Sequence, residues 1–213
     1  MTSAVASWCG DGAAVLILVR HGESAANAAG LLSGRAPAPL TEHGRSQVTA
    51  LSSELVGASR LITSPLGRAR ETAELLALDL PIEVDERWTE VDYGELEGTS
   101  LSALPSELWH QWRSDPTFRP PGGESLAEVG IRVRAACSDL FARSGSAARA
   151  TGDVVVVSHV SPIKAAVAWA LDTGDELAWR LHLSTASLTR VAWGVDGPVL
   201  RSFNQSGSDG RSR

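Results

Sequence analysis

The amino-acid sequence predicts an α/β fold, with a mostly parallel central sheet, helices on both of its faces and a short lid excursion over one end. Two continuous apolar runs, residues 14–19 and 153–158, are bounded by polar residues. Such runs are typical of strands that are buried on both faces. Strand-like and helix-like segments alternate between them, with no internal repeat and no linker. A chain of 213 residues suits one domain, which we place at residues 13–203.

Helices are predicted in three segments. The first begins near a cap at Thr41 and stops at Gly57. The second begins at Ser64, with Pro65 in the first helical position. The third begins at about Glu124, and apolar side chains recur along it at a spacing of three to four residues.

The remaining segments are less regular. Residues 189–203 predict two strands around an Asp-Gly turn at an edge of the sheet. Residues 99–123 contain four prolines and two tryptophans, and we interpret them as the lid excursion. Open α/β sheets bind ligands at the carboxyl ends of their strands, so a lid there would shape the pocket. We expect residues 1–12 to be a loose leader and residues 204–213 to be a disordered tail.

Composition argues against several classes of protein. The formal net charge of −6 disfavours a nucleic-acid binder, which usually carries a basic surface. No apolar run approaches the ~20 residues of a membrane span, and the first residues lack the pattern of a secretion signal. Cys9 lies in the leader and Cys137 on the apolar face of the third helix. We therefore expect two free thiols and a cytoplasmic protein without nucleic-acid or membrane partners.

Polar residues follow both apolar strands directly. Arg20 and His21 come after the first strand, and His159 comes after the strand at 153–158. The two histidines would face each other if these strands are neighbours. A helix predicted to start at Ser161 would point its unpaired N–H groups at the same place, which favours an anion there.

Two further residues extend this candidate site. Arg68 lies near the start of the second helix, close enough to reach a pocket at the strand ends, whereas Arg70 lies on a different face. Glu90 is the acid nearest the end of a strand-like segment. Each of these residues, taken alone, also has a purely structural interpretation, as a hydrogen-bonding or surface side chain.

A metal site is the other chemical interpretation of His21, Glu90 and His159. Arginines in the same pocket would repel a divalent cation, and no ligand pair has the spacing that is typical of zinc. We therefore expect neither a metal nor another cofactor.

Four motifs, "LVRHGES", "SPLGRARETA", "TEVDYGELEG" and "VVSHVSP", occur in this order along the chain. Their order and separations resemble those of the histidine phosphatase superfamily, which has the phosphoglycerate-mutase-like fold. The resemblance extends through "PLTEHGRSQ" and the terminal strands to nearly the whole chain. "VSHVSPIK" and "RLHLSTASLTRV" are similar to bacterial phosphatases of the α-ribazole-phosphatase-like and broad-specificity kind.

The resemblance implies a role for each residue of the site. His21 would be the nucleophile that accepts the phosphoryl group. The equatorial oxygens would be bound by other side chains, namely Arg20, Asn27, Arg68 and His159. Glu90 would be the general acid toward the leaving oxygen and then the base toward water. Many members carry glycine where this chain has Val160, and the backbone N–H of Val160 would still bind phosphate.

The chemistry requires residues of these types. Phosphoryl transfer spreads negative charge over three oxygens, so catalysis depends on positioning and electrostatic stabilisation. Arginine stays charged and can grip two oxygens at once. A neutral imidazole is a nucleophile at physiological pH. We therefore expect a phosphoric monoester hydrolase of the histidine acid phosphatase type that acts on small phosphorylated metabolites.

Two alternatives stay open at this point. One is a cofactor-dependent phosphoglycerate mutase, although residues 99–123 lack the longer insertions that are familiar in mutases. The other is a phosphate-binding module without catalysis. Specificity should reside in the lid excursion, where Trp109 and Trp112 would either stack on a substrate ring or pack the lid. The terminal hairpin would offer an edge for a homodimer.

Overall fold

The computed structural model describes residues 14–144, 152–194 and 196–207. Its strands and α-helices follow one another along the chain as β1 (Val15–Arg20), α1 (Ala25–Ala28), α2 (Glu42–Thr49), β2 (Ala58–Thr63), α3 (Gly67–Leu75), β3 (Ile82–Val84), α4 (Ser106–Ser114), α5 (Leu126–Ser144), β4 (Asp153–Ser158), α6 (Val160–Ala170), β5 (Ser187–Gly194) and β6 (Gly197–Ser206). The leader, Cys9 and the last six residues of the predicted tail lie outside the described residues.

The strands form one six-stranded sheet in the order β3-β2-β4-β1-β5-β6. The pairings among β3, β2, β4 and β1 are parallel, and those of β5 with β1 and β6 are antiparallel. The prediction of a mostly parallel α/β sheet is therefore confirmed. Strands β1 and β4 are direct neighbours, and Arg20 pairs with Ser158 at their carboxyl ends. This adjacency brings the residues that follow the two strands together.

The central strands are buried on both faces. In β1, Leu16 and Leu18 pack into one core cluster, which contains residues of α5 and α6. Ile17 and Val19 pack into the opposite cluster, which contains residues of α2 and α3. Alternate side chains of a strand point to opposite faces, so an all-apolar strand is what a sheet covered by helices on both sides requires.

The second predicted helix begins later than expected. Helix α3 starts at Gly67 rather than at Ser64 and Pro65. The backbone N–H of Ser64 donates to the carbonyl of Val157 at 3.0 Å, which continues the strand pairing beyond β2. The serine is therefore at the end of the sheet, where its side chain can reach the neighbouring strand end.

The first predicted helix is shorter than expected, and its cap is confirmed. Thr41 caps α2, with its Oγ1 accepting from the N–H of Gly44 at 2.9 Å. The helix ends at Thr49, and a separate 3-10 turn, Ser52–Leu55, completes the segment before Gly57 turns the chain with a φ of +93°.

The predicted boundary of the disordered tail is wrong at its start. Strand β6 continues to Ser206, and Gln205 pairs with Leu188 of β5. The Oδ1 atom of Asn204 also accepts a hydrogen bond from the N–H of Ser184 at 2.7 Å. The polar composition suggested a frayed end, but an edge strand needs only backbone pairing on one side, which polar residues can supply.

The lid excursion contains a 3-10 turn, Leu101–Ala103, and helix α4. Its apolar residues form a small core of their own, here called the lid cluster: Leu32, Leu104 and Trp112, with the partly buried Tyr93, Leu96, Leu108, Trp109, Phe118 and Trp179. Trp112 is only 2% exposed and contacts four aromatic rings. Trp112 therefore packs the lid. In the part of the chain that the structure describes, no helix combines the length and apolarity needed to span a membrane.

Candidate active site

His21 lies at the centre of the site, directly after β1. Its ring is 3% exposed, and its Nδ1 lies 2.7 Å from the carbonyl oxygen of Gly22. A carbonyl only accepts, so Nδ1 carries the proton, and Nε2 keeps its lone pair. That lone pair accepts from Arg68 Nε at 3.3 Å. Burial lowers the pKa of His21 well below its usual value, and Arg20 and Arg68 lower it further. The imidazole is therefore held neutral with Nε2 available as a nucleophile.

His159 faces His21 from the neighbouring strand end. The two ring centroids are 5.0 Å apart. His159 Nε2 lies 2.8 Å from the hydroxyl of Ser64, whereas its buried Nδ1 has no hydrogen-bond partner among the residues that the structure describes. If the hydroxyl donates to Nε2, Nδ1 carries the proton and is a buried donor. Burial, and then the neighbouring His21 and the positive charges of Arg68 and Arg20, lower the pKa of His159 well below its usual value.

The two arginines are held by loop carbonyls. Arg20 donates from Nη1 to the carbonyl of Leu183 at 2.6 Å, and its buried Nε has no partner within the described ranges of the chain. Arg68 is 2% exposed and donates to the carbonyls of Ser33, Gly34 and Ala36 as well as to His21. Burial lowers the pKa of both arginines, while Glu90 opposes that effect. Their side chains are oriented by backbone before any substrate binds.

Glu90 caps the first turn of α6. Its Oε1 accepts from the N–H groups of Val91 at 2.8 Å and Ser161 at 3.1 Å, and its Oε2 accepts from Val160 at 3.0 Å. The N–H of Val160, which the sequence predicts to bind phosphate, is therefore occupied by Glu90 in this structure. A direct contact between Val160 and phosphate stays a prediction, and it requires the carboxylate to move away.

Asn27 lies in the short helix α1. Its Oδ1 accepts from the N–H and the hydroxyl of Ser24, and the Ser24 hydroxyl accepts from the Asn27 N–H. This reciprocal capping fixes the amide. The structure thus gives Asn27 a local structural role, and its predicted contact with phosphate is untested.

Sequence reasoning missed two serines of the site. The sequence predicts Ser64 only as the start of a helix, but its hydroxyl contacts His159. Ser33 accepts from Arg68 through its carbonyl, and its buried hydroxyl has no partner in the part of the chain that the structure describes. Ser64 lies at a strand end that is next to a second strand end, and this position could have indicated that it belongs to the site. No local pattern marks Ser33. The described residues contain no group of three or more side chains that could hold a metal ion.

Two cationic guanidinium groups, a neutral nucleophilic imidazole and unpartnered buried donors converge at the end of an α/β sheet. This combination defines a protein whose site suits a small oxyanion. A model of the histidine phosphatase superfamily (branch 1) matches residues 16–206. The chain therefore belongs to the histidine phosphatase superfamily, and the resemblance noted in its motifs is confirmed.

Individual relatives agree with this assignment. The Mycobacterium tuberculosis protein named "Bifunctional protein Rv2228c" is 37% identical over 201 residues, covering 90% of this chain and 54% of that protein. The chain thus spans about half the length of that relative. A protein of Photorhabdus laumondii named "Probable phosphoglycerate mutase GpmB" is 36% identical over 186 residues, with 82% of each chain covered.

Solved structures give the same result. Mycobacterial glucosyl-3-phosphoglycerate phosphatase Rv2419c, in complex with VO3, has a TM-score of 0.81 at 29% identity, covering 91% of this chain and all of that one. The α-ribazole phosphatase from Shigella flexneri has a TM-score of 0.79 at 26% identity, covering 93% of this chain and all of that one. The expected likeness to α-ribazole phosphatases is thereby confirmed.

Proposed function

We propose that this chain is a metal-independent phosphomonoesterase that hydrolyses small phosphorylated metabolites through a phosphohistidine at His21. One observation carries the proposal: the unprotonated Nε2 of His21 accepts from Arg68, while in the neighbouring Arg20 and His159 the buried Nε and the buried Nδ1 have no partner among the described residues. Buried polar groups are normally paired. A phosphoryl group attached to His21 would bring oxygens to these donors.

In the first half of the reaction, the lone pair of His21 Nε2 forms a bond to phosphorus as the ester P–O bond breaks. Arg20, Arg68 and His159 stabilise the charge on the three equatorial oxygens. The leaving oxygen takes its electron pair from the broken bond and a proton from Glu90. The products of this half are the free alcohol and the phosphohistidine.

In the second half, water attacks phosphorus and the P–N bond breaks, returning its electron pair to Nε2. The water proton passes to Glu90, which restores the acid, and inorganic phosphate leaves. Three backbone N–H groups donate to the carboxylate of Glu90 in this structure. To act on the leaving oxygen or on water, the Glu90 carboxylate must release its bonds to the first turn of α6.

The test is release of inorganic phosphate from a panel of esters in the presence of a chelator. The panel contains 3-phosphoglycerate, α-ribazole 5′-phosphate, sugar phosphates and a nitrophenyl phosphate. We expect His21→Ala to lower kcat by at least about 10³-fold, whereas the exposed His110→Ala in α4 is a matched control that leaves kcat unchanged. Full activity in His21→Ala would overturn the proposal.

A phosphoglycerate mutase is the second candidate, because the similarity to the GpmB protein of Photorhabdus laumondii covers most of both chains. A mutase returns the phosphoryl group to the substrate instead of to water. Interconversion of 3- and 2-phosphoglycerate that outpaces phosphate release would establish the mutase in place of the hydrolase.

We further propose a cytoplasmic location and a homodimer. The buried thiol of Cys137 is unpaired, which suits a reducing compartment. Strand β6 lies at an edge of the sheet, where a second copy could pair with it. Sedimentation of the full chain tests the dimer, and a monomer at all concentrations would exclude it.

A further inference from the structure

A loop of the chain lies between the guanidinium of Arg68 and the carboxylate of Glu97. The loop comprises residues 33–36, here called the relay loop. On one side, the Nη2 atom of Arg68 donates to the carbonyls of Ser33 at 3.2 Å and Gly34 at 2.6 Å, and Nη1 donates to the carbonyl of Ala36 at 3.3 Å. These contacts leave Nε directed at His21.

On the other side of the relay loop, Glu97 accepts from successive backbone N–H groups. Its Oε1 accepts from Gly34 at 2.7 Å and from Ala36 at 3.4 Å, and its Oε2 accepts from Arg35 at 3.2 Å. No other part of the proposed mechanism uses Glu97. Its carboxylate is partly buried against the loop.

Two peptide groups of the relay loop connect the guanidinium of Arg68 to the carboxylate of Glu97. The peptide between Ser33 and Gly34 gives its C=O to Arg68 and its N–H to Glu97, and the next peptide does the same. Each peptide dipole is thus aligned between opposite charges. Hydrogen bonds in such a chain polarise and strengthen one another. The orientation of the carbonyls that hold Arg68 therefore depends on the carboxylate behind them.

The relay loop has little room for another arrangement. A Cβ atom at Gly34 would lie 2.5 Å from the carbonyl oxygen of Val91 and 2.6 Å from Oε2 of Glu97. Only glycine lets the backbone approach the carboxylate this closely. The negative charge of Glu97 also favours the charged form of Arg68, whose pKa burial lowers.

We infer that Glu97 is a positioning residue for Arg68: it fixes the peptide planes of the relay loop, and these planes aim the guanidinium at His21 and at the phosphoryl group. Only the second part of the inference, the aim of the guanidinium at the phosphoryl group, rests on the proposed function. The orientation of Arg68 toward His21 is a property of the protein without substrate.

The test compares Glu97→Gln with Arg68→Gln, and both with Glu95→Gln. The glutamine at 97 keeps the shape but turns a donor toward the N–H of Arg35, so the two peptides lose their alignment. Glu95 is the matched control because it lies in the 3-10 turn Gly94–Leu96, which ends directly before Glu97, and its side chain is exposed. Three quantities are measured: the melting temperature, the affinity for inorganic phosphate by calorimetry, and the titration of the His21 imidazole by NMR.

We expect Glu97→Gln to weaken phosphate binding about tenfold, as the loss of one charge-assisted hydrogen bond would. The same variant should raise the pKa of His21, because Arg68 no longer lies against its ring. In the Arg68→Gln background, Glu97→Gln should change neither quantity further, since the two residues act as a unit. Glu95→Gln should resemble the wild type throughout.

The possible outcomes separate the inference from the function. A lower melting temperature with His21 titration and phosphate affinity as in the wild type would overturn the positioning role and leave Glu97 a structural residue. A shifted His21 titration with unchanged phosphate affinity in both Glu97→Gln and Arg68→Gln would support the positioning of Arg68 and refute the proposed phosphate site. A full additional effect of Glu97→Gln in the Arg68→Gln background would also overturn the inference.

Discussion

The sheet end and the lid cluster use burial in opposite ways. At the sheet end, charged and polar side chains such as His21, Arg68 and Glu90 are nearly fully buried and are held by backbone groups. In the lid cluster, the buried side chains are aromatic and aliphatic, and they are held by one another. The arrangement at the sheet end orients charged side chains, and the arrangement in the lid cluster stabilises the shape of the lid.

Both regions contain buried donors without partners, and the difference between them is instructive. In the lid cluster these donors are the indole N–H groups of Trp112 and Trp179. Each of those rings gains enough apolar burial to offset one unpaired N–H. At the sheet end the described donors without partners belong to polar or charged side chains, namely Arg20, Ser33 and His159. Donors of that second kind indicate a site for an anion, whereas the first kind indicates packing.

The largest effect is expected from removing the centre of the lid cluster. Trp112→Ala should lower the free energy of unfolding by about 3–5 kcal/mol, because a fully buried indole is lost and a cavity remains. The folded variant should keep its kcat toward a small ester within about threefold, since the rings that Trp112 contacts belong to the lid cluster. Urea unfolding and phosphate release measure the two quantities. Trp109→Ala, on the same helix but partly buried, should cost less stability. An inactive but stable Trp112→Ala would erase the contrast between the regions.

At the sheet end the reverse outcome is expected. Arg68→Lys should lower kcat/KM by about 10²–10³-fold, because lysine keeps the charge but cannot donate in a fork to the loop and to the phosphoryl group. Arg70→Lys is the matched control, as the same change on the exposed face of α3. Arg70→Lys should leave kcat/KM unchanged. Equal losses in the two variants would mean that the position of the guanidinium is unimportant.

A smaller effect is expected at Ser64, which acts through His159. Ser64→Ala should lower kcat/KM about tenfold, because both tautomers of His159 become available and the donor at Nδ1 is no longer fixed. Ser158→Ala is matched in burial and removes a hydrogen bond of 2.7 Å to the carbonyl of Trp88. It should cost similar stability with kcat/KM within about twofold. If Ser158→Ala slows the enzyme as much as Ser64→Ala does, the hydroxyl has no special action on His159.

The two regions also differ in how far the sequence predicts them. Strands β1 and β4 lie within one residue of the predicted apolar runs, because burial on both faces leaves a continuous local pattern. Arg20, His21 and His159 follow from the same pattern, because the carboxyl ends of adjacent parallel strands meet, whereas Arg68 follows from the predicted start of the second helix. The contacts that orient these side chains cannot be predicted from this pattern. The relay loop and Ser64 act through backbone carbonyls and through pairings between distant segments, which no local spacing encodes.

The smallest effect concerns pH and follows from the burial of neutral imidazoles at the sheet end. The pKa values of His21 and His159 lie well below 6.5 in the folded protein and return to about that value on unfolding. As the pH falls below the unfolded value, the unfolded chain binds protons that the folded chain does not. Stability therefore falls on acidification, by up to about 1.4 kcal/mol per pH unit for each histidine, and above the unfolded value neither histidine contributes.

Removing one of these imidazoles should make the free energy of unfolding depend less steeply on pH. Urea unfolding between about pH 7 and about pH 5.5 should give His159→Gln a slope smaller than that of the wild type by up to about 1.4 kcal/mol per pH unit. All other titrating groups are common to the two proteins, so their contributions cancel in the difference. His110→Gln, on the exposed face of α4, provides the comparison from the lid excursion and should keep the slope of the wild type. A wild-type slope in His159→Gln would show that the imidazole is not held neutral, and the tautomer that makes Nδ1 a donor would then have to be abandoned.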